Sequence, residues 1–200
     1  MKVEMPGLKE KMEDYFKIAK YSMQYELASG TQLGFTFEKT AFPHLSGIHK
    51  LIDIPLIQKY NDPTEMMVSA KYLLAKIRQG KLTETDIRAS KYFADIEERY
   101  ERLTSDNLLS MTYTDVIIEF DVTMLKASKL VNTKYILFEK EQNAYRQLCI
   151  KQNPMDQLYY VETFFYEKSD DYIRGQMQDK IKKIKVLAPD GTVYLEDTFY

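Results

Sequence analysis

Three runs of β-forming residues in the second half of the chain most restrict the fold it can adopt. Residues 135–139, 145–150 and 158–166 are rich in β-branched and aromatic side chains, and polar turn sequences separate them. Because the connections are short, the runs predict a meander of three antiparallel strands. A second alternating pattern, from Tyr21 to Phe37, is interrupted at Ser29-Gly30 and predicts a β-hairpin. We expect all these strands to join one antiparallel sheet, with Phe35, Phe37, Phe138, Val161 and Phe165 buried.

Helical patterns occupy much of the remaining chain. Apolar residues recur every three or four positions in residues 6–19, 63–79 and 84–104, and the sequence Asp62-Pro63-Thr64-Glu65 is typical of a helix start. The same period over residues 170–184 predicts a further helix. We also expect about two turns of helix between His44 and Pro55, because a proline ends the segment. Residues 105–130 have no clear period, apart from a strand expected at 116–121.

Length, charge and cysteine content exclude several classes of protein. Two hundred residues suit one domain over residues 1–200, in which residues 184–200 form a terminal hairpin around Pro189-Asp190-Gly191. A net charge of −2 argues against a protein that coats nucleic acid, and a single cysteine excludes an internal disulfide. No apolar run reaches the roughly 20 residues that span a bilayer. We therefore expect a cytoplasmic protein with no membrane partner.

Both histidines of the chain lie within residues 42–51. Histidine is the side chain that exchanges a proton most readily near neutral pH. On a continuous helix, His44 and His49 would point about 140° apart, which predicts that they do not bind one metal ion side by side. We expect no metal and no other cofactor. From the residues alone, a hydrogen-bonded structural histidine remains the commoner alternative to a catalytic one.

Two blocks of sequence resemble a nuclease family. Phe37-Glu38 and the decapeptide Phe42-Pro43-His44-Leu45-Ser46-Gly47-Ile48-His49-Lys50-Leu51 resemble the Phe-Pro-His-Leu-x-Gly-[Ile/Leu]-x-Lys block of the phage-associated BECR-type nucleases, the barnase, EndoU, colicin and RelE-like group. Glu162-Thr163-Phe164-Phe165, followed by Asp171-Tyr172-Ile173 and Gly175-Gln176, resembles a second block of that family. The family has a proline where this chain has Val161-Glu162. The resemblance extends over residues 15–183.

The resemblance implies an α+β fold of the BECR type, with helices packed on a curved antiparallel sheet, and metal-independent cleavage of RNA by general acid–base transesterification. In that chemistry a base takes the proton of the 2′-hydroxyl, a cation stabilises the phosphorane, and an acid protonates the departing oxygen. By position in the family blocks, His44 is the acid or base and Lys50 the phosphate partner. Thr163, Tyr172 and Gln176 supply hydrogen bonds.

Two functional hypotheses follow from the sequence. The first is an endoribonuclease of phage or mobile-element origin, acting as a toxin or host-directed effector, with RNA as substrate and an inhibitor or antitoxin protein as a possible partner. The second is an inactive binding module on the same scaffold, which recognises RNA or a host protein. Lys180 and Lys183, in the basic cluster of residues 180–185, are candidates for substrate binding, although such clusters are more often solvated surface. The oligomeric state is left open.

Overall fold

The computed structural model describes residues 6–64, 68–125, 128, 130 and 132–199. Its α-helices are α1 Leu8–Ile18, α2 Phe42–Leu45, α3 Pro55–Asn61, α4 Ala70–Arg78, α5 Glu84–Ala89, α6 Glu97–Arg102 and α7 Ser105–Met111. Its strands are β1 Ser22–Leu27, β2 Gln32–Thr36, β3 Val116–Glu119, β4 Thr133–Lys140, β5 Tyr145–Gln152, β6 Tyr159–Glu167, β7 Met177–Leu187 and β8 Val193–Thr198. No helix among these residues is long and apolar enough to cross a bilayer.

The strands form one sheet that closes into a barrel. The order is β1-β2-β6-β5-β4-β3-β7, and pairing between β7 and β1 closes the ring, while β8 adds to β7. The predicted hairpin and three-stranded meander are confirmed, as is the strand near residue 116. The expected curved antiparallel sheet is closed into a barrel, and one of its pairings, that of β2 with β6, is parallel instead of antiparallel. Closure gives every strand of the ring a neighbour on each side, although β2 and β6 pair over only two residues each.

The predicted helix over residues 170–184 is wrong. Residues 177–187 form β7, which pairs with β3, β1 and β8. In the pairing with β1, Leu27 faces Ile181 and Glu26 faces Lys183, so Lys182 is an extra, bulged residue. The bulge lets Ile181 and Ile184 be buried three positions apart within a strand. That spacing imitates the period of a helix.

A second bulge lies in β6, where the strand borders the histidine segment. Cys149 faces Thr163 and Ile150 faces Val161, so Glu162 is the extra residue. The bulge changes which side chains point inward: Val161 and Phe164 are buried, whereas Phe165 is only half-buried. Phe138 is also half-buried, so the predicted burial holds for Phe35, Phe37 and Val161 but not for Phe138 and Phe165.

Three predicted helices are shorter than the sequence patterns indicate. The segment after His44 ends at Leu45, and a 3-10 turn, Ile48–Lys50, follows a left-handed residue at Gly47. The pattern over residues 84–104 divides into α5, a 3-10 turn and α6. Helix α4 is capped by Ser69, whereas Asp62 caps a turn at Thr64; Glu65 and Met66 of the predicted start lie outside the described residues.

Apolar side chains cover both faces of the central strands. Ile117, Leu137 and Leu148 belong to the main core, which the helices also enter. The neighbouring residues Ile118, Ile136 and Cys149 point to the other face, where they form a smaller cluster with Phe120, Leu130 and Ile173. Burial raises the pKa of the Cys149 thiol, which fits a packed side chain rather than a nucleophile. This smaller cluster borders the cleft described next.

Candidate functional site

A cleft of about 370 Å³ lies where α2, α6 and β6 meet. Four of the residues singled out by the sequence line it together: His44, Lys50, Thr163 and Tyr172. They come from three separate parts of the chain, so only the tertiary fold brings them into one cavity. The cleft is also lined by His49, Arg99, Leu130, Glu162, Phe165, Tyr166 and Glu167.

Gly47 brings the histidine segment close to α6. Its φ of 82° lies in the left-handed region that glycine adopts without strain. A Cβ at this position would lie 3.1 Å from two side-chain atoms of Ile96 and 3.3 Å from Cδ of Arg99. No side chain fits between the segment and α6 without displacing one of them. Gly47 therefore allows the turn after His44 and lets the Arg99 side chain pack directly against this segment.

Arg99 is a buried cation that has no acidic partner in the described part of the chain. Its side chain is 9% exposed; Nε donates to the carbonyl of Leu45 over 2.9 Å, and Nη2 donates to the Thr163 hydroxyl. Burial lowers the pKa of Arg99 to about 10, so the guanidinium remains charged at neutral pH. No carboxylate among the described residues forms an ion pair with it. A buried, unpaired charge costs several kcal/mol, so an anion in the cleft would supply the missing counter-charge.

The two histidine rings lie side by side. Their centroids are 4.3 Å apart, because the left-handed turn at Gly47 folds His49 back toward His44. The prediction that they point far apart is therefore wrong, since no continuous helix joins them. His49 Nδ1 lies 3.0 Å from the carbonyl oxygen of Pro43. A carbonyl only accepts hydrogen bonds, so Nδ1 carries the proton and Nε2 keeps a lone pair.

Both imidazoles are neutral at physiological pH. Burial, together with the neighbouring His44, lowers the pKa of His49 to about 3. The His44 side chain keeps a solvent-exposed edge, yet the protein packed around it displaces enough water to lower its pKa below 6.5. The charges of Arg99 and Lys151 lower it further, while Glu162 opposes them. A neutral imidazole accepts a proton, so His44 is prepared to act as a base.

Replacing His49 with Gln should flatten the dependence of stability on pH. Folded His49 has a pKa of about 3, whereas an unfolded histidine takes up a proton near pH 6.5. Between these values the unfolded chain binds more protons, so the free energy of unfolding falls as pH is lowered. Urea unfolding at pH 6.5 and 4.5 should show wild type losing about 2 kcal/mol more than His49→Gln. Equal losses would mean that folded His49 titrates like a free histidine.

Thr163, Tyr172 and Lys50 supply polar groups around the two imidazoles. The Thr163 oxygen accepts a hydrogen bond from Arg99, and its hydroxyl proton remains available for a bound oxygen. Tyr172 lies in the turn before β7, and its ring packs at 5.6 Å from Phe165 and 6.4 Å from Phe120. Burial raises the pKa of Tyr172, which keeps the phenol protonated. Lys50 is exposed at the edge of the cleft.

The structure does not bring Gln176, Lys180 or Lys183 into this cleft. Gln176 is buried beside a different cavity, of about 490 Å³, where its amide accepts from the Asp121 N–H and donates to the Asp121 carbonyl. It fixes the segment that carries Tyr172, and both ends of its amide are occupied. Lys180 and Lys183 line a third cavity, of about 530 Å³, and Lys183 is paired with Glu196. The cleft around His44 therefore does not include these three candidates, and their assignment to substrate binding or catalysis stays a prediction.

Sequence patterns missed Arg99, His49 and Glu162. Arg99 stands among charged residues in Glu97-Glu98-Arg99-Tyr100, which reads as a solvated helix face. Its position in the helical repeat indicated that it could be buried, because Arg99 lies three positions after the buried Ile96 and next to the buried Tyr100. Gly47, between the two histidines, indicated a turn that would bring His49 back toward His44. Nothing local marks the bulge at Glu162.

Comparisons with known proteins give one match. A family model described as phage-Barnase-EndoU-ColicinE5/D-RelE like nuclease 4 matches residues 7–187. Searches of the curated proteins and of the solved structures gave no match. Among the described residues, no group of three or more His, Cys, Asp and Glu side chains could hold a metal ion.

Proposed function

The chain belongs to the phage-Barnase-EndoU-ColicinE5/D-RelE like nuclease 4 family, PBECR4, and from that membership we propose that it is a metal-independent endoribonuclease that cleaves by transesterification. The family supports nuclease chemistry, and the cleft supports a particular form of it. The observation that carries the proposal is Arg99, a buried guanidinium with no acidic partner among the described residues, in the same cavity as a neutral histidine.

The phosphodiester binds with its non-bridging oxygens toward Arg99. Among the described residues that line the cleft, the Arg99 guanidinium and the Lys50 ammonium carry positive charge, and the Thr163 hydroxyl adds a donor. Charge on these oxygens grows as the phosphorane forms, so donors held in position at the cleft wall stabilise the transition state more than the substrate. The bonds to Leu45 and Thr163 hold the guanidinium in position before the substrate arrives.

His44 starts the reaction as the base. Its ring nitrogen takes the proton of the 2′-hydroxyl, the 2′-oxygen forms a bond to phosphorus, and the bond from phosphorus to the 5′-oxygen breaks. The products are a 2′,3′-cyclic phosphate and a 5′-hydroxyl. Tyr172 gives the departing oxygen its proton, because an alkoxide is a far stronger base than a phenolate. Glu162 also lines the cleft, but its carboxylate already accepts a hydrogen bond from Lys151 over 2.7 Å.

Incubation with a panel of labelled RNAs tests this proposal. We expect wild type to cleave single-stranded or loop RNA, and EDTA to leave the rate unchanged, because Arg99 and Lys50 supply the positive charge. Glu167→Gln is a matched control that alters a residue at the cleft wall without a proposed role, and it should retain activity. Loss of cleavage in EDTA would contradict metal independence. Tight RNA binding without cleavage would instead support a binding module on this scaffold.

A further inference from the structure

A smaller cavity, separate from the three described above, lies on the other side of His44. It has a volume of about 190 Å³, and Lys151, Tyr160 and Glu38 are among the residues that line it. His44 and Glu162 line this cavity as well as the larger cleft, so the two cavities share a wall. A strand that presents a phosphate to His44 from the larger cleft therefore has a second cavity beside it for its next nucleotide.

The side chains of the small cavity suit a nucleotide. Lys151 in β5 and Tyr160 in β6 are directly paired across the two strands, and the lysine Nζ lies 5.1 Å from the centre of the tyrosine ring. Proteins that bind single-stranded nucleic acid combine such parts, an aromatic ring for the base and a cation for the backbone. Burial opposes the charge on Lys151, but its hydrogen bonds to Glu162 and Tyr160 outweigh burial and raise its pKa. The ammonium therefore stays charged.

We propose that this cavity is a subsite for one further nucleotide, the one next to the two nucleosides joined by the cleaved phosphodiester, with its base against the Tyr160 ring and its own phosphate at Lys151. The inference rests on the proposed ribonuclease function and adds a substrate class: single-stranded RNA that extends beyond the two nucleosides joined by the cleaved bond. A base inside a duplex is already stacked on its neighbours and does not reach the ring.

Substrate extension tests the subsite. A dinucleotide and trinucleotides lengthened by one residue at the 5′ or the 3′ end are compared by kcat/KM. Extension at one end should raise kcat/KM about 5- to 150-fold, the effect of stacking one base on an aromatic ring. The ratio of extended to unextended kcat/KM should fall toward one in Tyr160→Ala and remain in Tyr160→Phe, which keeps the ring. In Lys151→Met the ratio should fall and lose part of its dependence on salt, because one phosphate contact is removed.

The outcomes separate the subsite from the ribonuclease proposal. If wild type cleaves the dinucleotide and extension at neither end changes kcat/KM, the subsite is wrong while the ribonuclease assignment stands. The subsite is also wrong if the gain in kcat/KM on extension persists in both Tyr160→Ala and Lys151→Met. If wild type cleaves none of these RNAs, nor longer ones, the ribonuclease assignment fails first. Moving the extra nucleotide into a hairpin stem should abolish the gain, and an equal gain in the stem would contradict recognition of single strands.

Discussion

Replacing Arg99 with Met should lower kcat/KM for RNA cleavage by about 10³-fold, the upper range for losing one fixed transition-state donor. The same change should lower the free energy of unfolding by no more than about 1 kcal/mol. Removing the guanidinium leaves the Leu45 carbonyl without its donor, but it also removes a buried charge that has no ion-pair partner among the described residues. A large loss of activity without a loss of stability is the signature of a charge retained for function.

Two further variants, Arg102→Met and Arg99→Lys, test the role of the Arg99 guanidinium more closely. Arg102 lies on the same helix but pairs with Glu141 and does not line the cleft; Arg102→Met should keep full activity. Arg99→Lys keeps a charge but not the planar fork that contacts Leu45 and Thr163 together, so its activity should fall between wild type and Arg99→Met. Activity is followed with labelled RNA and stability by urea unfolding. Equal kcat/KM in wild type and Arg99→Met would remove Arg99 from the mechanism.

His44→Ala should lower kcat/KM by about 10²- to 10⁴-fold, the usual contribution of one acid–base group. The protein should stay folded, because the His44 side chain keeps an exposed edge at the surface of the cleft. Circular dichroism and the urea midpoint give the folding control. An unchanged rate in a folded His44→Ala protein would move the base to another residue.

The pH profile of kcat/KM distinguishes a base from a merely structural histidine. Because burial, Arg99 and Lys151 lower the pKa of His44, the acidic limb of the wild-type profile should lie below pH 6.5. Activity is lost there as His44 takes a proton, and it is full at neutral pH. In Arg99→Met one repelling charge is gone, so the limb should move to higher pH. A limb at the same pH in both proteins would show that the titrating group does not sense Arg99.

The sequence predicted the strands well where neighbouring strands are joined by short turns. The hairpin of β1 and β2 and the meander of β4 to β6 need only local pairing, and their alternating residues specify it. Barrel closure joins β1 to β7, more than 150 residues along the chain, and no local pattern encodes such a pairing. Strand β7 was also not predictable from its own sequence, because the bulge at Lys182 gives its apolar residues a helix-like spacing.

Four residues that the family blocks singled out, His44, Lys50, Thr163 and Tyr172, line one cleft, and their roles there stay predictions. Arg99 could not be inferred in the same way, since its partners Leu45 and Thr163 are 54 and 64 positions away along the chain. Gln176 lies outside the cleft because the turn before β7 uses its amide to bind the backbone of Asp121.

The most direct measurement of the ribonuclease assignment uses DNA strands that carry a single ribonucleotide, one strand for each base, beside the all-deoxy strand. Wild type should cut only after the ribonucleotide, leaving a 2′,3′-cyclic phosphate, because the attacking oxygen is the 2′-hydroxyl; His44→Ala should cut about 10²- to 10⁴-fold more slowly. Cleavage of the all-deoxy strand at a similar rate would contradict transesterification through His44. Binding of the single-ribonucleotide strands and of RNA by wild type without any cut would leave a binding module.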